Sequence, residues 1–244
     1  MAEWLYGRNP IYEVLRAGRR QVFNLKVAQG VQEKGRLAEI LQICRQRKLP
    51  VTQAARHELD QIDPNNQGVA LRAGDYPYAA LDQILSLAAN RGELPFLLIL
   101  DTLQDPQNLG TLLRTAEAVG VHGVIIPLAR TATITPAVVS SSSGAAEHLL
   151  VAQANLAQAI TTLKEADVWS VGLDAGPDSQ PASRVNLKGG LALVVGSEGS
   201  GLRRLVRERC DVLMRLPMRG KIESLNAAVA GSVALYLALD ARSG

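Results

Sequence analysis

Two runs of five consecutive apolar residues, Phe96-Leu97-Leu98-Ile99-Leu100 and Leu191-Ala192-Leu193-Val194-Val195, carry no polar alternation. Strands of that kind lie in parallel sheets covered by helices on both faces. Further strands are predicted over 123–126, 168–173 and 212–216, with helices over 108–119, 156–166 and 226–241. The alternation gives an α/β domain spanning 95–244. Upstream the pattern is shorter and more polar. Asn9 as a cap, Pro10 at the first helical position and Gly18 just past the end delimit a helix. A strand follows over 22–28. Leu37, Ile40, Leu41 and Cys44 then recur at the i, i+3, i+4, i+7 spacing of an amphipathic helix over 33–48, which Pro50 ends. A strand near Val51, a short helix over 56–61 and a strand over 68–72 complete a small α/β domain over 1–75. Residues 76–94, with Tyr76-Pro77-Tyr78, a helix over 81–89 and Asn90-Arg91-Gly92, are expected to link the two.

The 244 residues, 47% hydrophobic and 20% charged, exclude a disordered or collagen-like chain. Cys44 and Cys210 stand outside any Cys/His ligand spacing, so neither a zinc site nor a disulfide framework is expected, and a reducing cytoplasm fits. The longest apolar stretch, 227–239, is interrupted by Gly231 and Ser232 and is too short to span a bilayer. The expectation is a cytoplasmic protein with no membrane association.

Charge is unevenly spread. The formal net of +3 divides into +4 over 1–75 and −1 over the remainder. A second basic concentration comprises Arg203, Arg204, Arg207, Arg209, Arg215, Arg219 and Lys221, against Glu208 and Asp211. Two basic surfaces fit a polyanion, and ordinary solvated faces are the plain alternative. With 4% aromatic residues there is no stacking platform for single-stranded bases, so RNA would be held by phosphate, ribose and shape.

Three segments can carry chemistry. Asp101-Thr102-Leu103-Gln104-Asp105-Pro106-Gln107-Asn108-Leu109-Gly110 follows the first apolar strand and runs toward Arg114. Ligands of open α/β sheets bind at such strand ends. Asn108 taken alone reads equally as a helix cap. Gly196-Ser197-Glu198-Gly199-Ser200-Gly201-Leu202 follows the second apolar strand. It matches neither G-x-G-x-x-G nor a Walker loop, and Glu198 would repel a pyrophosphate, which makes a dehydrogenase a poor reading. Leu216-Pro217-Met218-Arg219-Gly220 continues through Ser224-Leu225-Asn226-Ala227-Ala228 into the last helix, where Ser224 or Asn226 could act only as a cap. His57, His122 and His148 match no catalytic or ligand spacing.

In this order, at successive strand ends, these segments closely resemble the three motifs of the SpoU/TrmH family, S-adenosylmethionine-dependent RNA ribose 2'-O-methyltransferases of the SPOUT class. Tyr6-Gly7-Arg8-Asn9-Pro10-Ile11-Tyr12-Glu13-Val14-Leu15 also resembles the N-terminal domain of the branch that modifies a guanosine in 23S rRNA. The resemblance implies a deep trefoil knot in the C-terminal domain, a ribosomal-protein-like RNA-binding domain at the N-terminus and a homodimer sharing its active sites. It implies that Gly196, Leu216 and Leu225 hold S-adenosylmethionine, with no metal required. It implies too that Asn108, Arg114, Glu198, Ser224 and Asn226 form the catalytic neighbourhood, Glu198 orienting Arg114 or a neighbouring donor. The partner implied is 23S rRNA or an assembling large ribosomal subunit; a 2'-O-methyltransferase of tRNA or of another rRNA site and a non-catalytic ribosome-assembly factor are the rivals. Two departures stand out. Thr102 occupies a place where members more often carry Gly or Asn, and the Ser140 to Ser143 run replaces a more mixed segment.

Overall fold

The computed structural model describes residues 2–222 and 224–243. It divides into two compact units.

The first unit comprises Met1–Pro77 together with Thr133–His148. Strands β1 (Glu3–Tyr6), β2 (Val22–Ala28), β3 (Val51–Ala54) and β4 (Val69–Ala73) form a sheet of order β1-β4-β2-β3, in which only β2 and β3 run parallel. Helix α1 (Arg8–Ala17) ends at Gly18, whose φ of 64° is the left-handed C-cap that the sequence requires. It starts earlier than predicted, with Gly7 at the N-cap, because Asn9 is already helical and its side chain instead accepts a bond from Arg36 Nε at 3.2 Å. Helix α2 (Arg36–Gln46) buries Leu37, Ile40, Leu41 and Cys44, the predicted stripe, and α3 (Arg56–Asp60) follows β3. The surprise is α6 (Pro136–Ser141) and the 3-10 turn Ala145–His148, which come from the middle of the chain yet pack here. Glu147 and Arg20, both fully buried, pair at 2.9 Å, and Tyr76 donates its hydroxyl to Ala146 O at 2.9 Å.

The second unit comprises Tyr78–Ala132 and Leu149–Gly244. Its seven strands are β5 (Phe96–Leu100), β6 (Gly123–Pro127), β7 (Leu150–Ala154), β8 (Trp169–Leu173), β9 (Gln180–Pro181), β10 (Leu191–Val195) and β11 (Val212–Arg215). They are all parallel, in the order β7-β6-β5-β10-β8-β11-β9. The two apolar runs, β5 and β10, pair at the centre, Leu191 beside Phe96 and Val195 beside Leu100, and every residue of both is buried. One face of the sheet, with Leu97, Ile99, Ala192 and Val194, packs with Ile84 of α4 (Leu81–Asn90), with Ile160 and Leu163 of α7 (Leu156–Glu165) and with Val206 of α8 (Arg204–Arg209). Residues expected in the linker thus contribute a helix to this core. On the other face α5 (Pro106–Ala118) packs against α9 (Ala227–Ser243). Their approach depends on Gly231, where an added Cβ would lie 2.5 Å from Leu112 and 3.1 Å from Val195. His122 is structural: Nδ1 accepts from Phe96 N at 3.0 Å, which leaves the proton on Nε2, 2.9 Å from Glu93. No helix among the described residues is long and apolar enough to cross a membrane.

Candidate active site

Two of the three chemistry-bearing segments leave the carboxyl ends of the paired central strands β5 and β10, and the third leaves the same end of β11, two places from β10, and runs into α9, which packs on α5 and β10. Helix α5 starts at Pro106, two residues earlier than predicted. Asp105 is its cap, accepting from Gln107 N at 3.0 Å, so the capping reading of Asn108 is wrong. Asn108 lies in the first turn with its amide free to face outward, and it donates to Glu198 Oε1 at 3.2 Å.

The loop after β10 is a tight reversal. Ser197 and Gly201 exchange backbone hydrogen bonds of 3.1 and 3.0 Å, which pushes Glu198 out at the tip. Gly196 lies under this reversal, where a Cβ would sit 2.3 Å from the Gly201 carbonyl carbon. A side chain cannot be admitted there without moving backbone, which is the physical reason for glycine at that position.

Asn226 closes the arrangement. Its Oδ1 accepts from Ala228 N and Val229 N at 2.9 and 3.1 Å, capping α9. With the oxygen committed to the helix, Nδ2 must turn the other way. It donates to Asn108 Oδ1 at 3.1 Å and to Glu198 Oε1. Three side chains from separate segments therefore form a ring with the Glu198 carboxylate as common acceptor. Asn226 is both a cap and a member of the ring, whereas Ser224 is not the cap.

Beside the ring opens a cleft of about 490 Å³ lined by Gly196, Glu198, Leu216, Ser224 and Leu225. These are five of the eight residues named from the sequence. Asn108 and Asn226 join through Glu198, and Arg114 is exposed on α5, six residues beyond Asn108 and so about 240° further round the helix axis.

Sequence reasoning missed a charged pair on the cleft wall. Asp174, just after β8, and Arg207 of α8 both line the cleft, with Arg207 Nε 2.5 Å from Asp174 Oδ2. Burial pushes the Asp174 carboxyl up, but bonds from Gly176 N and Arg207 outweigh it and hold the group below its ordinary value. The signal was present, because Leu173-Asp174-Ala175 stands at a parallel strand end like the other segments. The cleft's volume lies within the usual range for small-molecule sites. Leu173, Leu216, Met218 and Leu225 offer apolar surface for a base, and Glu198 offers negative charge to a cation, the Asp174 charge being matched by Arg207. That donor set fits S-adenosylmethionine. No cluster of metal-ligating side chains occurs among the described residues.

The family model described as SpoU rRNA Methylase matches residues 95–236, and that described as RNA 2'-O ribose methyltransferase substrate binding matches 4–79. The Bacillus subtilis protein YacO, assigned to the TrmH family of tRNA/rRNA methyltransferases, is 40% identical over 238 residues, covering 96% of this chain and 94% of its own. An uncharacterized tRNA/rRNA methyltransferase of Mycolicibacterium vanbaalenii is 42% identical over 236 residues, covering 96% of this chain and 74% of its own. Among solved structures, the SpoU methyltransferase AviRb from Streptomyces viridochromogenes, in complex with AdoMet, has a TM-score of 0.80 at 24% identity, covering 98% of this chain and 90% of that one. An AdoMet-bound rRNA methyltransferase from Sinorhizobium meliloti has a TM-score of 0.77 at 23% identity, covering 97% and 86%. These last two likenesses show the fold.

Proposed function

The chain belongs to the SpoU rRNA methylase family, and from that premise we propose that it methylates the ribose 2'-hydroxyl of a guanosine in 23S rRNA, with S-adenosylmethionine as methyl donor. The observation that carries the reading is the ring of Asn108, Glu198 and Asn226 at the edge of the cleft lined by Gly196, Leu216 and Leu225. When bound, S-adenosylmethionine supplies a methyl group on a positively charged sulfur, open to in-line displacement by an oxygen.

The chain's own task is to align a hydroxyl with that methyl and to stabilise charge building on the oxygen. Gly196, Leu216 and Leu225 hold the donor in the cleft. Glu198 fixes the two amides rather than facing RNA, and so keeps a carboxylate away from phosphate. Ser224 and the Asn108 amide present polar groups toward the reacting oxygen. The planar fork of Arg114 offers N–H donors and no acceptor, so it binds the adjacent phosphate and stabilises charge building on the oxygen, while the hydroxyl proton leaves to solvent water.

The first unit holds the RNA, in keeping with the surplus of positive charge over 1–75. The working form is a homodimer. Its support is a stripe on α9, where Val229, Val233, Tyr236 and Leu237 are exposed at the i, i+4, i+7, i+8 spacing of one helix face. The threaded knot of the second unit is what membership of the family implies.

Incubation with S-adenosylmethionine and unmodified 23S rRNA, followed by digestion and mass spectrometry, tests the proposal. One 2'-O-methylguanosine, absent with Arg114→Ala, is expected. Methylation of a tRNA pool alone would move the target to tRNA, the other RNA that the relatives' tRNA/rRNA names give. Cofactor and RNA binding with no transfer to either RNA would direct the search to an assembling subunit.

A further inference from the structure

Asp101 opens the first of the three segments but is none of the residues to which a catalytic or cofactor-binding role has been given, yet it holds both feet of the loop that carries Glu198. It is fully buried at the end of β5. Its N–H donates to Val195 O at 2.7 Å, the last residue before the loop. Its Oδ2 accepts from Arg203 N at 2.8 Å, the first residue after the loop, and its Oδ1 accepts from Arg203 Nε at 2.6 Å. Between these feet lie seven residues, three of them Gly196, Gly199 and Gly201, whose backbone freedom would otherwise let the tip wander. The same residue stands seven positions before Asn108, to which the tip must reach. We propose that Asp101 is a positioning residue which clamps the 196–202 loop so that Glu198 meets Asn108 and Asn226.

The turn that follows supports this role. Thr102 adopts φ 59°, a left-handed conformation disfavoured for a β-branched residue, with its hydroxyl donating to Asp101 O at 2.7 Å. Strain of this kind persists where surrounding structure over-determines the backbone. Here the over-determination is the double attachment of Asp101 to Val195 and Arg203. Replacing the carboxylate by an amide keeps the shape but removes the charge and one of the two acceptors that Arg203 engages. Removing the Arg203 side chain, which is half exposed, leaves the bond to its backbone N–H in place.

The inference rests on the methyltransferase reading, and its test separates the two. Asp101→Asn should lower kcat by about tenfold or more while the KM for RNA stays within about threefold, the pattern of a site misaligned rather than unable to bind. Hydrogen exchange should quicken in 196–203 while β5 and β10 keep their protection. Arg203→Ala should show the same pattern at smaller amplitude, and it serves where Asp101→Asn does not fold. A folded Asp101→Asn protein with wild-type kcat and unchanged exchange would overturn the proposal, as would exchange rising uniformly through the second unit. If the wild-type protein transfers no methyl group to RNA, the functional reading fails, and exchange in 196–203 still decides the role of Asp101.

Discussion

Thr102 and Gly196 are opposite cases of what a single residue must do with its backbone. Thr102 holds a left-handed φ of 59° with a branched side chain, a conformation that Gly or Asn adopts more readily. Thr102→Asn should therefore stabilise the protein by about 1 kcal/mol, a rise in Tm of roughly 2–4 °C by calorimetry for a chain of this size. Gly196 has no room for a Cβ, since the Gly201 backbone would lie 2.3 Å away. Gly196→Ala should displace the reversal that carries Glu198 and weaken S-adenosylmethionine binding by about tenfold or more, measured by isothermal titration, because well-packed backbone does not yield locally. The two cysteines bear on handling rather than catalysis. Burial pushes the Cys44 thiol up to about 11 and the Cys210 thiol up to about 12. Neither forms appreciable thiolate at pH 8, so iodoacetamide should label both only after denaturation, as read by intact-mass spectrometry.

At the scale of elements, length decides what a pattern reveals. Strands β2, β5 and β10 lie at their predicted bounds because five to seven apolar or alternating residues define them. The four-residue β1, the two-residue β9 and the six-residue helices α6 and α8 are too short for a period to emerge, and they exist through tertiary pairing. Helix α8 is held by Val206 in the core, by Arg207, which pairs with Asp174, and by Asp211 just beyond its end, which accepts from Ser170 N, Ser170 Oγ and Lys164. Burial pushes the Asp211 carboxyl up, but the bonds from Lys164 and Ser170 outweigh it and lower it overall, as Gly176 and Arg207 do for Asp174. A carboxylate lowered in the folded state contributes stability at pH above its unfolded value and loses it as pH falls through the folded one. Asp211→Asn should thus cost on the order of 2 kcal/mol at pH 7 and progressively less below about pH 4, in urea melts across that range.

At the scale of the whole molecule, the first unit is not continuous in the chain. Tyr76 donates to Ala146 O and Arg20 pairs with both Glu3 and Glu147, so a fragment ending at Pro77 loses the fully buried one of the arginine's two carboxylates together with the tyrosine's acceptor. A 1–77 fragment should melt without a cooperative transition, whereas the full chain should retain one for this unit in circular dichroism. If α9 carries the dimer contact, Val233→Lys should give monomers in sedimentation equilibrium at concentrations where the wild-type protein dimerises. The sequence by itself determined the parallel α/β class, the longer helices and strands, and the segments able to carry chemistry, because hydrophobic period and turn chemistry are local properties. It also showed the motif order that marks the family. It did not show that Asn108 is no cap, that Asp174 and Arg207 line the cleft, or that residues 133–148 fold onto the N-terminal unit. Those were decided by tertiary structure, which sets β10 beside β5 and so brings Asn108 and Glu198, 90 positions apart, within hydrogen-bonding distance. A pairing across that separation depends on strand order, and strand order is fixed by which buried faces fit together over the whole core.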